Sequence, residues 1–458
     1  MITENKMGVM PVGKLVFNMS FPMMVSMLVQ ALYNIVDSIF VANMEAGEDA
    51  LTAVSLAFPL QSLLIAVGAG TGVGVNALLS RALGEKDKKR AGKVAANGGF
   101  LYLLSYVLFL ILGFVAVKPF YASQVTDPAQ QNISTMGVTY LTIVMTMSFG
   151  LMGQFYFERL LTSTGKTVFS MLCQLIGAIT NIILDPILIF GWLGLPAMGV
   201  AGAAIATVIG QCAAAVIGIV CNHKFNQEIR VSFKGFRPDG KTIGSIYMIG
   251  VPSIIMQSIG SIMVYCMNRI LIGFTSTATT VFGVYFKLQS FFFMPVFGLN
   301  NGITPIIAYS YGAGNRKRMI KTIKVSMSVA FGLLMFGFLG FELLPQVLLG
   351  FFEPSEEMLE IGCTALRIIG IHFLVAWFCI VAGTVFQALG KAVYSMIVSV
   401  MRQLGVLIPA AIILARVGGL KAVWWAFPIA EIMSLIVSTI CLVHIYRTII
   451  KNIPEGTE

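Results

Sequence analysis

Residues 15–41 read LVFNMSFPMMVSMLVQALYNIVDSIFV, and the rest of the chain is organised around this stretch. It is long enough to cross a bilayer as one helix, since about 20 residues suffice. Pro22 stands near its start, and Asp37 stands deep in otherwise apolar sequence. A charged Asp inside a membrane costs roughly 2.5–3.5 kcal/mol on insertion scales, so Asp37 predicts a functional site with a partner elsewhere in the chain.

Polar residues recur along one face of this predicted helix. Gln30, Asn34 and Asp37 fall at i, i+4 and i+7, and Tyr33 lies one position off that stripe. We expect this face to look into protein or water instead of lipid, and to line a central cavity. The alternative interpretation is a buried polar network that only ties helices together, although a neutral Asn in place of Asp37 would do that at lower cost.

The composition places the whole chain in a membrane. Of the 458 residues, 57% are hydrophobic and only 11% are charged, whereas soluble domains carry about 25% charged residues. Apolar runs long enough to span recur twelve times, which predicts an all-α integral membrane protein with twelve transmembrane helices. The runs cover residues 15–43, 51–80, 95–117, 134–160, 168–190, 199–221, 243–273, 277–308, 320–350, 358–386, 394–415 and 419–446.

The positive charges report the topology of these helices. A net charge of +10 would suggest a nucleic-acid partner in a soluble protein. With the amino terminus in the cytoplasm, however, 23 Lys and Arg fall in cytoplasmic segments and helix ends, three fall outside and four lie inside spans. This asymmetry predicts a multi-pass protein of a bacterial cytoplasmic membrane, with both termini in the cytoplasm and no nucleic-acid partner.

The second half of the sequence repeats the first. Gly74 returns as Gly302 at an offset of 228, the tripeptide LQS that begins at residue 60 returns at 288 with the same offset, and Pro22 corresponds to Pro252. Six spans per repeat restore the same orientation, so we predict two six-helix lobes related as parallel repeats. Transporters that rock two bundles around a central site are built in this way.

The predicted domain organisation follows from the repeat. Residues 1–221 form an amino-terminal lobe of helices 1 to 6, and residues 222–242 form a polar, basic cytoplasmic linker. Residues 243–458 form a carboxy-terminal lobe of helices 7 to 12 with a short cytoplasmic tail.

A second intramembrane carboxylate, Asp185, lies on predicted helix 5 and shares a face with Asn181. Helices 1 and 5 both run outward, and at about 1.5 Å per residue Asp37 and Asp185 reach the same depth. Two carboxylates at one depth can meet, and such a pair suits a site that takes up and releases a proton. The same oxygens, with Asn181 and with Thr180 or Thr207, would instead ligate Na⁺. The structural alternative for Asp185 is a cap at a helix break before the proline that follows it.

The second repeat offers weaker candidates. Glu431 on predicted helix 12 is a third buried acid, which either forms a structural pair with Arg402 of helix 11 or takes part in cation binding. Helix 7 carries Gln257 and Asn268 on its way through the membrane but no acid.

No pattern for enzyme chemistry is visible. The seven Cys fall in or at the ends of predicted spans without a C-x-x-C motif, the three His are scattered, and there is no phosphate loop, HExxH motif or catalytic triad pattern. We therefore expect a protein that is not an enzyme and that needs no cofactor and no metal other than a coupling Na⁺.

Several segments together resemble one family, the multidrug and toxic compound extrusion (MATE) transporters, and within it the MepA-like branch. The resemblance spans essentially the whole chain and is carried by Pro22, YNIVDSIFV at 33–41, SRALG at 80–84, TGK at 164–166, LGK at 389–391, and Asn181 with Asp185-Pro186.

The resemblance implies a V-shaped central cavity between two six-helix lobes and cation-coupled export of organic cations. It also implies that Asp37, Asn181 and Asp185 form the cation site of the amino-terminal lobe, and that Pro22 is the kink at which helix 1 bends. Some family members also use acids in helices 7 and 10, whereas here helix 7 has no acid and helix 10 has Arg367, which weakens the case for coupling through the carboxy-terminal lobe.

These observations predict a monomeric antiporter that uses H⁺ or Na⁺ to expel amphipathic, often cationic organic compounds by alternating access. The alternative is a flippase or exporter for a lipid-linked or anionic substrate, which a basic cavity would favour. The charge of the cavity discriminates between the two.

Overall fold

The computed structural model describes residues 5–44, 47–125, 130–229, 231, 236–352 and 354–456, and in these ranges it contains helices and no strand. The α-helices are α1 Lys6–Val9, α2 Val12–Ala42, α3 Gly47–Gly84, α4 Lys88–Val115, α5 Val117–Gln124, α6 Gln131–Thr146, α7 Phe149–Ser163, α8 Thr167–Phe190, α9 Val200–Phe225, α10 Gly240–Leu271, α11 Ser276–Gly312, α12 Arg316–Leu343, α13 Pro345–Gly350, α14 Glu356–Gly370, α15 Phe373–Ala388, α16 Ala392–Val400, α17 Ile408–Val423 and α18 Ala426–Thr448. A π-helix, Met401–Leu407, joins α16 to α17.

The described helices account for the predicted spans. Ten are long and apolar enough to cross a membrane, with α16, the π-helix and α17 counted as one. Two bent pairs, α6 with α7 at 43° and α14 with α15 at 50°, are each long and apolar enough when taken together. Counting each bent pair once gives twelve, and the prediction of an all-α membrane protein is confirmed. At the second bend the His372 ring nitrogen Nδ1 lies 2.6 Å from the Ile369 carbonyl, an interaction that competes with the backbone ladder.

Packing divides the chain into two compact units. The first unit comprises Met1–Met24, Gly84–Lys86 and Val251–Glu458, and the second unit comprises Val25–Leu83 and Asp87–Gly250. The first unit therefore contains most of the second repeat together with the first half-helix of α2, up to Met24. The second unit contains most of the first repeat together with the first half-helix of α10, up to Gly250. The predicted lobes over residues 1–221 and 243–458 describe the duplication and stay a prediction.

Two glycines explain why each half-helix packs where it does. A methyl group on Gly302 of α11 would lie 2.6 Å from the Cα of Ser20, and one on Gly74 of α3 would lie 2.3 Å from the carbonyl oxygen of Ile246. Both glycines thus allow a close backbone approach, to α2 in the first unit and to α10 in the second. Because Gly74 and Gly302 are equivalent in the repeat, the same helix contact is built twice.

The described ends of the chain meet at the start of α12 in the first unit. Arg318 is buried, and its Nε donates a hydrogen bond to the Met7 carbonyl oxygen at 2.8 Å. The Arg316 amide donates to the Pro454 carbonyl oxygen, and its guanidinium lies 2.7 Å from the Glu455 carboxylate. Both described ends therefore lie at the same end of this unit.

The end of the predicted linker is held against α4 in the second unit. Asp239 accepts a hydrogen bond from the Thr242 hydroxyl and lies 3.2 Å from the Lys93 ammonium, and these contacts lower the pKa of its carboxyl below the usual value. Residues 230 and 232–235 of the predicted linker, Lys234 among them, lie outside the described residues.

Candidate cation and substrate site

The two predicted carboxylates meet. Asp37 lies five residues before the end of α2, and Asp185 lies five residues before the end of α8. In the second unit the two carboxyl groups are within hydrogen-bonding contact of each other. Asp185 is fully buried, and neither Asp37 Oδ1 nor Asp185 Oδ2 has a hydrogen-bond donor in the described part of the chain.

The arrangement has a chemical consequence. Two ionised carboxylates side by side in a buried place repel each other, and the repulsion is relieved when a proton is shared between them or a cation binds to both. A shared proton or a small cation would relieve this repulsion, and the assignment as a cation site stays a prediction.

Asn181 completes this site from α8. Its amide Nδ2 lies 3.3 Å from Asp185 Oδ1 and 3.4 Å from the Thr207 hydroxyl of α9, while its own Oδ1 is buried without a partner in the described part of the chain. The amide thus holds one carboxylate and leaves an oxygen for a cation. Thr180 instead donates to the Ile176 carbonyl oxygen at 2.7 Å. Roles in coupling stay a prediction for all these residues.

The structural alternative for Asp185 was a cap at a helix break. The helix α8 runs without a break from Thr167 to Phe190, with Pro186 inside it. Asp185 therefore caps no helix end.

A cavity of about 80 Å³ lies next to this pair in the second unit, between α2, α7, α8 and α9. Drug-sized ligands occupy pockets of about 300–1,000 Å³, so in this conformation the space suits ions, water or one end of a larger molecule. All four helices contribute polar residues to its lining, which are Ser26, Gln30, Tyr33, Gln154, Glu158, Arg159, Gln174, Asn181, Thr207 and Gln211.

Only some of the polar residues predicted to share one face of helix 1 line the cavity in the structure. Gln30 and Tyr33 line the cavity, and Tyr33 lies close enough to Asp37 and Asp185 to interact with their charges. Asn34 is exposed and does not line this cavity, so its place in a substrate path stays a prediction. Pro22 is buried inside α2, two residues before the point at which that helix passes from the first unit to the second.

The remaining candidates lie in the first unit. Arg402, on the π-helix, places a guanidinium nitrogen 3.5 Å from Glu431 of α18, so the predicted pair forms. The second carboxylate oxygen of Glu431 is buried without a partner in the described ranges. Gln257 of α10 is exposed, with its amide 3.5 Å from the Ser253 carbonyl oxygen, and Asn268 is half-buried.

One buried acid was missed by the sequence analysis. Glu158 of α7 is 3% exposed and lines the cavity. In the sequence, its neighbour Arg159 stands at the end of the predicted span 134–160, and an acid beside a basic residue there is typical of a cytoplasmic helix end. The signal that would have found Glu158 is its spacing from Gln154, since i and i+4 share a helix face.

Comparison with known proteins assigns the chain to a family. The MatE family model matches residues 22–187 and 252–413. The chain is 28% identical over 441 residues to the multidrug export protein MepA of Staphylococcus aureus strain MSSA476, covering 95% of this chain and 94% of that protein. It is 30% identical over 431 residues to MepA of Staphylococcus haemolyticus strain JCSC1435, covering 91% and 90%.

Solved structures share the fold. A multidrug resistance MATE family transporter of the MOP superfamily, in an outward-facing conformation, superposes with a TM-score of 0.89 at 24% identity, covering 97% of this chain and 99% of that one. A MOP superfamily transporter from Pyrococcus furiosus superposes with a TM-score of 0.90 at 24% identity, covering 98% and 99%. With a family model that matches both repeats and relatives that match almost from end to end, the chain belongs to the MATE family of multidrug efflux transporters.

Proposed function

We propose that this protein is an antiporter of the bacterial cytoplasmic membrane, driven by H⁺ or Na⁺, that exports amphipathic and often cationic organic compounds by alternating access. In this proposal it works as a monomer without a cofactor, with both termini in the cytoplasm. The observation that carries it is the contact between Asp37 and Asp185 beside a polar cavity. The MepA relatives are multidrug export proteins, which supports export as the direction.

The coupling follows from the chemistry of the pair. When the site opens outward, a proton or Na⁺ from outside neutralises the two carboxylates and relieves their repulsion. The neutralised site can then close without leaving an uncompensated charge in the membrane, which would be costly. Release of the cation to the cytoplasm restores the charge, and the substrate takes its place before the return step.

The charge of the cavity supports cationic substrates over the anionic alternative. Glu158 and Asn181 contribute acceptor oxygens to its lining, and the two carboxylates of the pair lie next to it. The described lining also contains one basic residue, Arg159, beside Glu158, so the acids of the cavity and of the adjoining pair outnumber its basic residue.

The test is transport by purified protein in liposomes with an imposed pH or Na⁺ gradient. The wild type should accumulate ethidium against its gradient with one of the two ions. Asp37→Asn should fold and bind ethidium but lose gradient-driven transport, because an amide has nearly the same shape but cannot change its charge. Glu360→Gln, a change to an exposed acid on α14, is the matched control and should transport normally.

The double variant separates one unit from two independent sites. If Asp37 and Asp185 act together, Asp37→Asn with Asp185→Asn should be scarcely worse than either single change. Vigorous gradient-driven transport by Asp37→Asn would refute the proposal, and Glu431 would become the next candidate.

A further inference from the structure

Two buried cysteines of the second unit lie side by side at one end of the contact between α8 and α9. Cys173 of α8 is fully buried, and Cys221 of α9 is 7% exposed. Their side chains are within hydrogen-bonding contact of each other, and they belong to one apolar cluster with Leu161 of α7. Partly buried Phe169 and Ile217 pack against this cluster. The two thiol groups therefore meet in apolar surroundings, and the proposed transport cycle uses neither of them.

Close packing of the two helices holds these sulfur atoms in place. A methyl group on Gly177 of α8 would lie 3.0 Å from the carbonyl oxygen of Gly210 on α9. One on Gly218 of α9 would lie 3.8 Å from the Cys173 sulfur, so α9 also runs close to α8 beside the thiols. Glycines allow such a close backbone approach, which limits the freedom of either helix to rotate. A ligand that bridges the two thiols would therefore lose little affinity to ordering them.

Two thiols in contact suit trivalent arsenic. Arsenous acid is small and uncharged at neutral pH, and thiols displace its hydroxyl groups. Each displacement forms an arsenic–sulfur bond, breaks an arsenic–oxygen bond and transfers the thiol proton to the departing hydroxyl group, which leaves as water. One arsenous acid and two thiols thus give a bridged product with one remaining hydroxyl group and two waters. Arsenic stays trivalent throughout, so the step needs no oxidant and no reductant.

The surroundings favour this product over a bound metal ion. Structural zinc sites use four protein ligands. Within the ranges that the structure describes, no group of three or more His, Cys, Asp or Glu could hold a metal ion. The arsenic product takes only two sulfurs from the protein and is uncharged, so it places no charge in an apolar environment, where a charge is costly. The chemistry of the pair therefore selects a trivalent metalloid.

The nearby end of α9 gives access to the site. Cys221 lies four residues before the end of that helix at Phe225, and His223 and Lys224 in its last turn are exposed. In the proposed topology this end of α9 faces the cytoplasm. A small uncharged solute from that side would meet Cys221 first and Cys173 next.

We propose that Cys173 and Cys221 form a binding site for the oxyacids of trivalent arsenic and antimony, in which the metalloid bridges the two sulfur atoms and ties α8 to α9. Cys173 is about 18 Å from Asp185 along α8, at about 1.5 Å per residue. The site is therefore separate from the Asp37–Asp185 pair and does not depend on the proposed function.

The experiment measures arsenite binding to purified, full-length protein by native mass spectrometry. The wild type should bind one arsenic through Cys173 and Cys221. The mass identifies the bridge, because a bridged product has lost two waters per arsenous acid and attachment to one thiol loses only one. Tandem mass spectrometry of peptides should place the arsenic between these two residues, and ethanedithiol should remove it by offering two competing thiols.

Single variants test whether both sulfurs are needed. Cys173→Ala and Cys221→Ala should each weaken arsenite binding about hundredfold or more, because a second bond to a tethered partner raises affinity by about 10²–10⁴. The matched control is Cys212→Ala with Cys266→Ala, which changes two half-buried cysteines elsewhere and should bind arsenite as the wild type does.

Thermal denaturation in detergent provides an independent measurement. Arsenite should raise the midpoint of the wild type but not that of Cys221→Ala, because unfolding separates the two thiols and breaks the native arrangement that the ligand binds. An unchanged midpoint of the wild type, a bridged product in Cys221→Ala, or arsenic bound through other cysteines of the wild type would overturn the inference. The peptide mapping uses wild-type protein alone, so a variant that fails to fold leaves the test intact.

Discussion

Gly302 of α11, against which the first half-helix of α2 packs, gives the sharpest prediction about stability. A methyl group at Gly302 would lie 2.6 Å from the Cα and the Oγ of Ser20 and 2.9 Å from the Met19 carbonyl oxygen. Carbon atoms in optimal contact are about 3.5–4.0 Å apart, so Gly302→Ala must push α2 away by about 1 Å. Backbone atoms cannot rotate out of the way as side chains do.

The expected magnitude has two parts. Overpacking of this kind costs about 1–3 kcal/mol. The replacement of a helical glycine by alanine returns roughly 0.5–1 kcal/mol through reduced backbone entropy. We therefore expect Gly302→Ala to be less stable than the wild type by up to roughly 2.5 kcal/mol.

Gly332 of α12 provides the matched control. It also lies inside a helix, but an added methyl group there meets nothing within 4 Å. Gly332→Ala should therefore be neutral or slightly stabilising. Thermal denaturation in detergent, followed by size-exclusion chromatography, should place the midpoint of Gly302→Ala a few degrees below that of Gly332→Ala.

A suppressor test identifies the clashing atoms. Shortening the side chain in Ser20→Gly removes the hydroxyl but leaves the Cα and the neighbouring carbonyl oxygen, so it should not rescue Gly302→Ala. Equal stability of the Gly302→Ala and Gly332→Ala variants would refute the close approach. Full rescue by Ser20→Gly would show that only the hydroxyl is in the way.

Three further predictions concern the kink, the buried pair and the topology. Pro22→Ala restores a helix hydrogen-bond donor and should lower turnover more than expression; full transport would mean that the kink is only structural. Arg402→Ala removes one partner of the Arg402–Glu431 pair and leaves the Glu431 carboxylate buried without it. Loss of one partner from a fully buried pair costs about 3–5 kcal/mol, and we expect a smaller loss of stability here because Arg402 is partly exposed. Thermal denaturation measures the loss, and the double variant Arg402→Ala with Glu431→Gln should recover part of it. In a chain without its seven native cysteines, a cysteine at Lys241 should be labelled only from inside and one at Glu356 only from outside, and the opposite result would reverse the proposed topology.

The sequence predicted the features that depend on composition and helix geometry. Membrane spans follow from apolar runs because a bilayer admits only helices and closed barrels. The meeting of Asp37 with Asp185 followed from their equal depth. Neither argument requires knowledge of which helices pack together.

What escaped prediction depends on tertiary packing. The repeat showed Gly74 and Gly302 as equivalent, but periodicity along one helix cannot say which other helix approaches it. For Glu158, the sequence shows its charged neighbour but not the Gln154 and Gln174 amides that donate to its carboxylate, one of which comes from another helix. Asn34 fits the helical stripe, yet a stripe defines a face without saying how wide the cavity beside it is.

The contact of the first half-helix of α2 with Gly302 also constrains the order in which the protein assembles during synthesis. Ser20 donates its hydroxyl hydrogen bond to the Leu299 carbonyl oxygen, a partner 279 residues later in the chain. At about 5–20 residues per second, α2 emerges roughly 15–55 s before α11 is made. During that interval its first half has no glycine groove to occupy, so lipid or the insertion machinery must cover it. The first half of α2 therefore packs in its final place only after α11 has been made.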